Sequence, residues 1–352
     1  MYRVIKFDNQ EKYKKAFLDL PKKLYSKKEI MQNEEEEKQI LEEKHLLSKY
    51  FKIHKFLVIN QNEETLARCI VTFYPEDKNA YIGFFECVED KKVSNILLSY
   101  TENFIKSKGY ENIIGPLNCS FWIGYRFKTN YFGHPYTSEP YNKEYYLDMF
   151  KEAGFESYQE YSSNTFLKIE KSQKNDKFSK RLELMKEKGY IFKQPDDSTF
   201  ENDLRVIGKL ILDLYSHFPG YKAITEDEFF ELYKDLKKII KYDMVKLAYY
   251  NDEMVGFFVS IPNYGNAISN MNLLKIIKTK FFTKEYIMLY LGVTKEHLGL
   301  GRALAECMKE ELKRNKCTSI GALIKDGNAN RVYFKELIDK EYRYMLLNKK
   351  LN

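Results

Sequence analysis

The chain has little of what marks a secreted, metal-bound or membrane-spanning protein. Its 352 residues hold five cysteines, Cys69, Cys87, Cys119, Cys307 and Cys317. They are odd in number and scattered, and no two form a Cys-x-x-Cys pair. That argues against a disulfide framework or a zinc site and leaves reduced, buried thiols, so no metal is expected. No apolar run approaches the ~20 residues that a membrane span needs, and no membrane partner is expected. The opening Met1-Tyr-Arg-Val-Ile-Lys-Phe7 has the pattern of a short strand and not of a signal peptide. A cytoplasmic location is therefore expected. Two familiar phosphate loops are missing too. The glycine turn at 299–301 ends Gly301-Arg302-Ala303, where a Walker loop needs Gly-Lys-Ser/Thr. Leu304 stands where a dinucleotide fingerprint needs glycine or alanine. Charge of one sign is also lacking: 58 Lys and Arg face 51 Asp and Glu, a net +7. Interleaved charges of this kind describe a solvated surface, so nucleic acid is not an expected partner.

What is present suits two domains. The chain is too long for one typical domain, and 44% of it is apolar, ample for a core in each half. The first half reads as a strand, helices over 13–24 and 34–50, then a hairpin, Lys55-Phe-Leu-Val-Ile59 and Ala67-Arg-Cys-Ile-Val-Thr-Phe73. A strand at 80–88, a helix over 93–107 and a strand at 112–117 follow. The second half repeats that order. Helices near 201–217 and 226–240 precede a hairpin at 244–259, a strand at 286–293, a helix over 303–313 and a strand at 319–323. Between the halves, Lys168-Ile-Glu-Lys-Ser-Gln-Lys-Asn-Asp-Lys177 is polar and reads as a linker. The expected organisation is a domain over 1–167, a linker over 168–180 and a domain over 181–352.

The stretch from Tyr286 to Ile320 carries the strongest chemical signal. The apolar strand Tyr286-Ile-Met-Leu-Tyr-Leu-Gly-Val293 leads through Gly299 and Gly301 into a helix, with apolar residues at Ala303, Leu304, Cys307, Met308 and Leu312. The first N–H groups of a helix have no partner inside it, and the dipole adds partial positive charge there. A phosphate suits that place. The matching turn of the first half, Val88-Glu-Asp-Lys-Lys92, has no glycine and places two acids beside the helix start. Only the second half is expected to hold an anion.

This stretch resembles motif A of the GCN5-related N-acetyltransferase (GNAT) superfamily, Arg/Gln-x-x-Gly-x-Gly/Ala after a strand. Leu298 takes the Arg/Gln place, which removes one polar contact, while Gly301 and Ala303 take the small positions. The whole chain is similar to a bacterial family of tandem GNAT-like proteins. Its segments stand here as Gly83-Phe-Phe-Glu86, Gly115-Pro-Leu-Asn118, Pro140-Tyr-Asn-Lys-Glu-Tyr-Tyr146, Gly154-Phe155 and Leu273-Leu-Lys-Ile-Ile277. The resemblance implies an α/β fold of two tandem modules, each a mostly antiparallel sheet flanked by helices. It also implies transfer from acetyl-CoA or another acyl-CoA to an amine of a small molecule or peptide.

It assigns cofactor contacts to Leu291, Gly292 and Val293, to Leu298, Gly299, Leu300, Gly301, Arg302 and Ala303, and to Asn328. Acyl transfer to an amine also needs proton transfer. Tyr333, Glu285 and Tyr290 are the candidates; His297, in the strand exit, reads first as structural. The loop residues Tyr125, Arg126, Glu139, Tyr141 and Asn142 are candidates for acceptor binding, because loops carry function more often than element interiors do. Two other readings stay open: a non-catalytic acyl-CoA-binding or interaction protein, and a transferase that takes aminoacyl groups from tRNA.

Overall fold

The computed structural model describes residues 2–169, 176–326 and 337–351. The first half contributes strands β1 (Arg3–Phe7), β2 (Lys52–Ile59), β3 (Thr65–Phe73), β4 (Asn79–Cys87), β5 (Asn112–Gly115), β6 (Phe127–Lys128) and β7 (Glu156–Phe166). The second contributes β8 (Ile191–Lys193), β9 (Val245–Tyr250), β10 (Glu253–Pro262), β11 (Glu285–Val293), β12 (Thr318–Lys325) and β13 (Ile338–Lys350). The helices are α1 (Glu11–Leu24), α2 (Glu34–Leu41), α3 (Lys91–Ser107), α4 (Tyr146–Glu152), α5 (Asp176–Glu187), α6 (Phe200–Leu214), α7 (Glu226–Tyr233), α8 (Leu273–Phe282) and α9 (Leu300–Asn315).

Local chemistry explains most boundaries. α7 starts on a capping box, in which Thr225 accepts from the Glu228 N–H and Glu228 accepts from the Thr225 N–H. The helix expected over 34–50 stops at Leu41. Glu43 there takes a positive φ of 58°, and the buried Lys55 ammonium donates to the Leu41 carbonyl at 2.9 Å. That bond satisfies an acceptor the helix end would leave free. The expected linker gives way to α5 from Asp176 onward, and α5 packs against α9.

Among the described residues, thirteen strands join one sheet in the order β1-β2-β3-β4-β5-β13-β7-β12-β11-β10-β9-β8, with β6 beside β13. Every pairing is antiparallel except β4 with β5 and β11 with β12. The two halves exchange their closing strands. β13, last in the chain, pairs with β5 of the first half, Leu347 opposite Gly115. β7, from the first half, pairs with β12 of the second, Thr165 opposite Ile320. β13 and β7 then pair with each other, Tyr344 opposite Tyr161. The boundary read from the linker therefore divides the chain in order but does not divide the sheet. Buried side chains cover both sheet faces in each half: Phe56, Val71, Leu97 and Phe150 on one side of the first, Leu57, Ile70, Leu117 and Leu346 on the other.

Candidate active site

The site is built around the parallel pair β11 and β12. They pair from Glu285–Thr318 to Met288–Gly321 and no further. The cause lies on the other edge of β11. Its register with β10 shifts between Ser260–Met288 and Val259–Tyr290, which leaves Leu289 as an extra residue. A bulge bends and twists the strand that carries it, and here it turns the end of β11 away from β12. A cavity of about 500 Å³ occupies the gap. Ala305, Met308 and Leu312 of α9 line one side; Trp122, Tyr215 and Tyr233 line the other.

α9 begins at Gly299, whose φ of 91° is left-handed and whose place as N-cap leaves the first turn without a side-chain acceptor. Leu300 and Leu304 are fully buried, while Arg302 is exposed and Leu298 is 80% exposed. Arg181 of α5 lies across this start. Its Nε donates to the Gly299 carbonyl at 3.3 Å and its Nη2 to the Leu298 carbonyl at 3.1 Å. A cation thus stands beside the bare amides, close to the position where the sequence has leucine in place of Arg or Gln. Nothing in the sequence signals Arg181, because its role depends on how α5 docks.

The first half shows the same elements closed. β4 and β5 pair only as far as Tyr81–Ile114, but the chain at Leu117 and Asn118 fills the gap. A Cβ on Gly83 would meet the Leu117 carbonyl oxygen at 2.1 Å, and the Asn118 side chain accepts from the Phe84 N–H at 2.6 Å. The helix start is capped by Asp90, which accepts from the N–H groups of Lys92 and Val93. A carboxylate of the chain itself sits where a phosphate would, as the acids at 89–90 led one to expect.

Behind that closed gap lies a second cavity of about 400 Å³, lined by Arg68, Glu37 and Glu86 among others. Arg68 and Glu37 form a buried pair at 2.7 Å. Burial lifts the Glu86 carboxyl to a pKa of about 7, against the pull of Arg68 at 4.0 Å and of the Tyr146 hydroxyl, which donates to it at 2.7 Å. A carboxyl raised by folding stabilises the protein fully below its ordinary range, and that contribution is lost as pH rises through about 7. Glu86→Gln is expected to flatten that part of the Tm-versus-pH curve; an unaltered slope would remove this carboxyl from the account.

Of the residues singled out from sequence, Tyr290, Leu291, Tyr125 and Arg126 line the first cavity, and Ala303 does not. Gly292 and Val293 continue β11 opposite Phe257 and Gly256. Tyr290 stands just past the bulge. Burial pushes its hydroxyl pKa up, while Tyr233 and the Arg126 charge pull it partly back. Arg126 reaches in from the first half, its guanidinium 3.8 Å from the Tyr125 ring and 4.3 Å from the Tyr161 ring. Its Nε and Nη1 are buried without a hydrogen-bond acceptor.

Other candidates among the described residues do not line this cavity. Glu285 sits at the closed base of the pair, accepting from Asn263 and Thr318, and does not line the cavity. Glu139 is held by Lys128 at 2.6 Å and by the Tyr344 hydroxyl at 2.6 Å. Asn142 bonds the backbone of Lys128 and Lys143. Glu139, Tyr141 and Asn142 line the second cavity, which shares Tyr125 and Arg126 with the first. His297 bonds the Tyr190 hydroxyl at 2.6 Å and packs on Tyr250. Asn328 and Tyr333 lie outside the described residues. No group of three or more potential metal ligands occurs among the described residues.

No protein-family model matches the chain. It is 22% identical over 198 residues to a bacterial ceramide synthase of Caulobacter vibrioides, covering 55% of this chain and 50% of that protein. It is 23% identical over 198 residues to Protein YghO of Escherichia coli, 54% of this chain and 49% of that one. The aligned part thus amounts to about half the length of these relatives. Among solved structures, a tandem GNAT protein from the clavulanic acid biosynthesis pathway matches 99% of this chain and 98% of its own at a TM-score of 0.55 and 8% identity. A GCN5-related N-acetyltransferase from Anabaena variabilis matches 98% of this chain and 72% of its own at a TM-score of 0.52 and 9% identity. End to end, the chain has the fold of the GCN5-related N-acetyltransferase superfamily.

Proposed function

We propose that the protein is an acyl-CoA-dependent N-acyltransferase whose donor lies in the second half and carries a chain longer than acetyl. The observation that carries this reading is the placement of an uncapped, glycine-started helix beside a gap that opens into a largely apolar cavity of about 500 Å³. The amides of 299–303 and the Arg181 guanidinium suit a diphosphate. The backbone of Leu291, Gly292 and Val293, unpaired on its β12 side, suits the thioester. An acetyl group would leave most of the cavity empty, whereas an alkyl chain would bury apolar surface at ~25 cal/mol per Å².

Acyl-CoA supplies an activated carbonyl. The amine nitrogen attacks its carbon, the N–C bond forms and the C–S bond breaks. The nitrogen loses a proton and the sulfur gains one. Tyr290 is assigned to give that proton and to recover it from the amine through water. The distant likeness to a ceramide synthase supports a long-chain amine as acceptor, since a ceramide is an amide of that kind.

The direct test is CoA release from hexadecanoyl-CoA against a panel of long-chain and short amines. Absence of acyl-CoA binding by calorimetry at millimolar ligand would end this reading. Binding with no turnover against any amine would favour the interaction-protein alternative. Tight, salt-sensitive tRNA binding would favour the aminoacyl alternative. Ala322 on β12 lines the cavity and is 9% exposed. Ala322→Phe is expected to lower kcat/KM for hexadecanoyl-CoA about tenfold or more relative to acetyl-CoA. Equal losses with both donors would place the alkyl chain elsewhere.

A further inference from the structure

α8 is exposed where a helix of a folded protein is ordinarily covered. None of its residues is buried. Leu273, Ile277 and Phe281, spaced at four residues, fall on one stripe with Leu274 beside them. Leu274 is 84% exposed and Phe281 66%, and Met271 and Phe282 extend the patch at 76% and 74%. The contacts with the body run through Ile276, Thr279 and Lys280, which are half-buried, and Lys280 donates to the Lys238 carbonyl. A contiguous patch of this kind marks an interaction surface.

Its charge says what the partner is. The helix contains no acid. Lys275, Lys278 and Lys284 are exposed, and no acid among the described residues pairs with any of them. A second copy of this chain docking on the same patch would bring two acid-free, lysine-bearing helices together, since a twofold interface uses the same surface on both copies. An apolar stripe flanked by unpaired lysines instead matches the boundary of an anionic bilayer, where such helices lie flat with apolar side chains among the acyl chains.

We infer that α8 docks the protein on anionic membrane surfaces. The expectation that no membrane is a partner rested on the lack of a spanning segment. No described helix is long and apolar enough to cross a bilayer, but a helix lying in the interface needs no such length. The place in the fold gives the docking a use. α8 leads directly into β11, and Ile268, a few residues before it, lines both cavities. A long-chain substrate leaving the bilayer would meet the cavity rim.

The test uses the full chain and sedimented vesicles of phosphatidylcholine alone or mixed one to one with phosphatidylglycerol. Binding is expected on the mixed vesicles, where it should weaken as salt rises, and to be about tenfold weaker on the neutral ones. Leu274→Ser with Phe281→Ser, and separately Lys275→Glu with Lys278→Glu, are each expected to weaken it about tenfold. These positions are exposed, so Tm should stay unchanged and report that the fold survives. Failure of the wild type to sediment with mixed vesicles would overturn the inference. So would variants that bind as the parent does, or a lipid-free dimer that the serine pair dissolves. Vesicle binding requires no acyl transfer, so an inactive protein that still binds would sink the proposed function and leave the docking intact.

Discussion

Glu139→Ala is expected to destabilise the fold by about 3–5 kcal/mol, read as a fall in the urea midpoint at unchanged m. The carboxylate and the Lys128 ammonium sit 2.6 Å apart with side-chain exposures of 0% and 1%. Burial pulls the two pKa values toward the neutral forms, Lys128 downward and Glu139 upward, and each partner's charge opposes the shift of the other. Removing one charge leaves the other buried and uncompensated. The loss extends beyond the pair, because Glu139 also accepts from Tyr344 on β13 and from the Tyr136 N–H. Tyr344 in turn bonds Tyr136, which bonds Ser163 on β7. The network thus ties the 127–142 loop to the two exchanged strands. The pair Lys128→Met with Glu139→Leu is expected to recover much of the loss, as apolar replacements of buried ion pairs commonly do. A cost under about 1 kcal/mol for Glu139→Ala would mean that water reaches the pair.

Gly299→Ala and Arg181→Ala are each expected to weaken acyl-CoA binding about tenfold, and the double variant to be little worse than either. A Cβ on Gly299 would meet the Arg181 Nη2 at 1.9 Å and its Cζ at 2.7 Å. The guanidinium must swing away, so alanine at 299 removes the same cation that Arg181→Ala removes. It also places a side chain at a φ of 91°, which costs about 1–2 kcal/mol. Charge-assisted bonds to phosphate are worth about 1.5–3 kcal/mol, hence the tenfold scale. Calorimetric titration with acyl-CoA checks all three proteins. Fully additive losses would separate the arginine from the glycine, and undiminished binding by either single variant would move the diphosphate away from α9.

The reading from sequence succeeded where a signal is local. The glycine start of α9 stands where the spacing put it, and Asp90 caps α3 where the first half lacks glycine. Alternation and helical spacing located β2, β3, β9, β10 and the parallel strands. It fell short where the deciding contact is distant in the chain. The expected helix over 34–50 ended early because Glu43 turns the backbone and Lys55, from β2, caps Leu41. Glu139 was grouped with acceptor-binding residues because it lies on a loop; its partners, Lys128 and Tyr344, are revealed only when β13 crosses back.

Local order in the residues therefore settled which turn bares its amides, which half keeps a carboxylate in the same place, and that the two halves repeat. Those features need only neighbours in the chain, through dipoles, caps and side-chain periodicity. Folding in three dimensions decided the rest: that β7 and β13 trade places, that Leu117 and Asn118 plug one gap while a bulge at Leu289 opens the other, that Arg126 and Tyr290 meet there, and that Arg181 lies across the start of α9. The strand exchange joins Thr165 to Ile320 and Leu347 to Gly115, residues far apart in the chain, and no local spacing records such pairings.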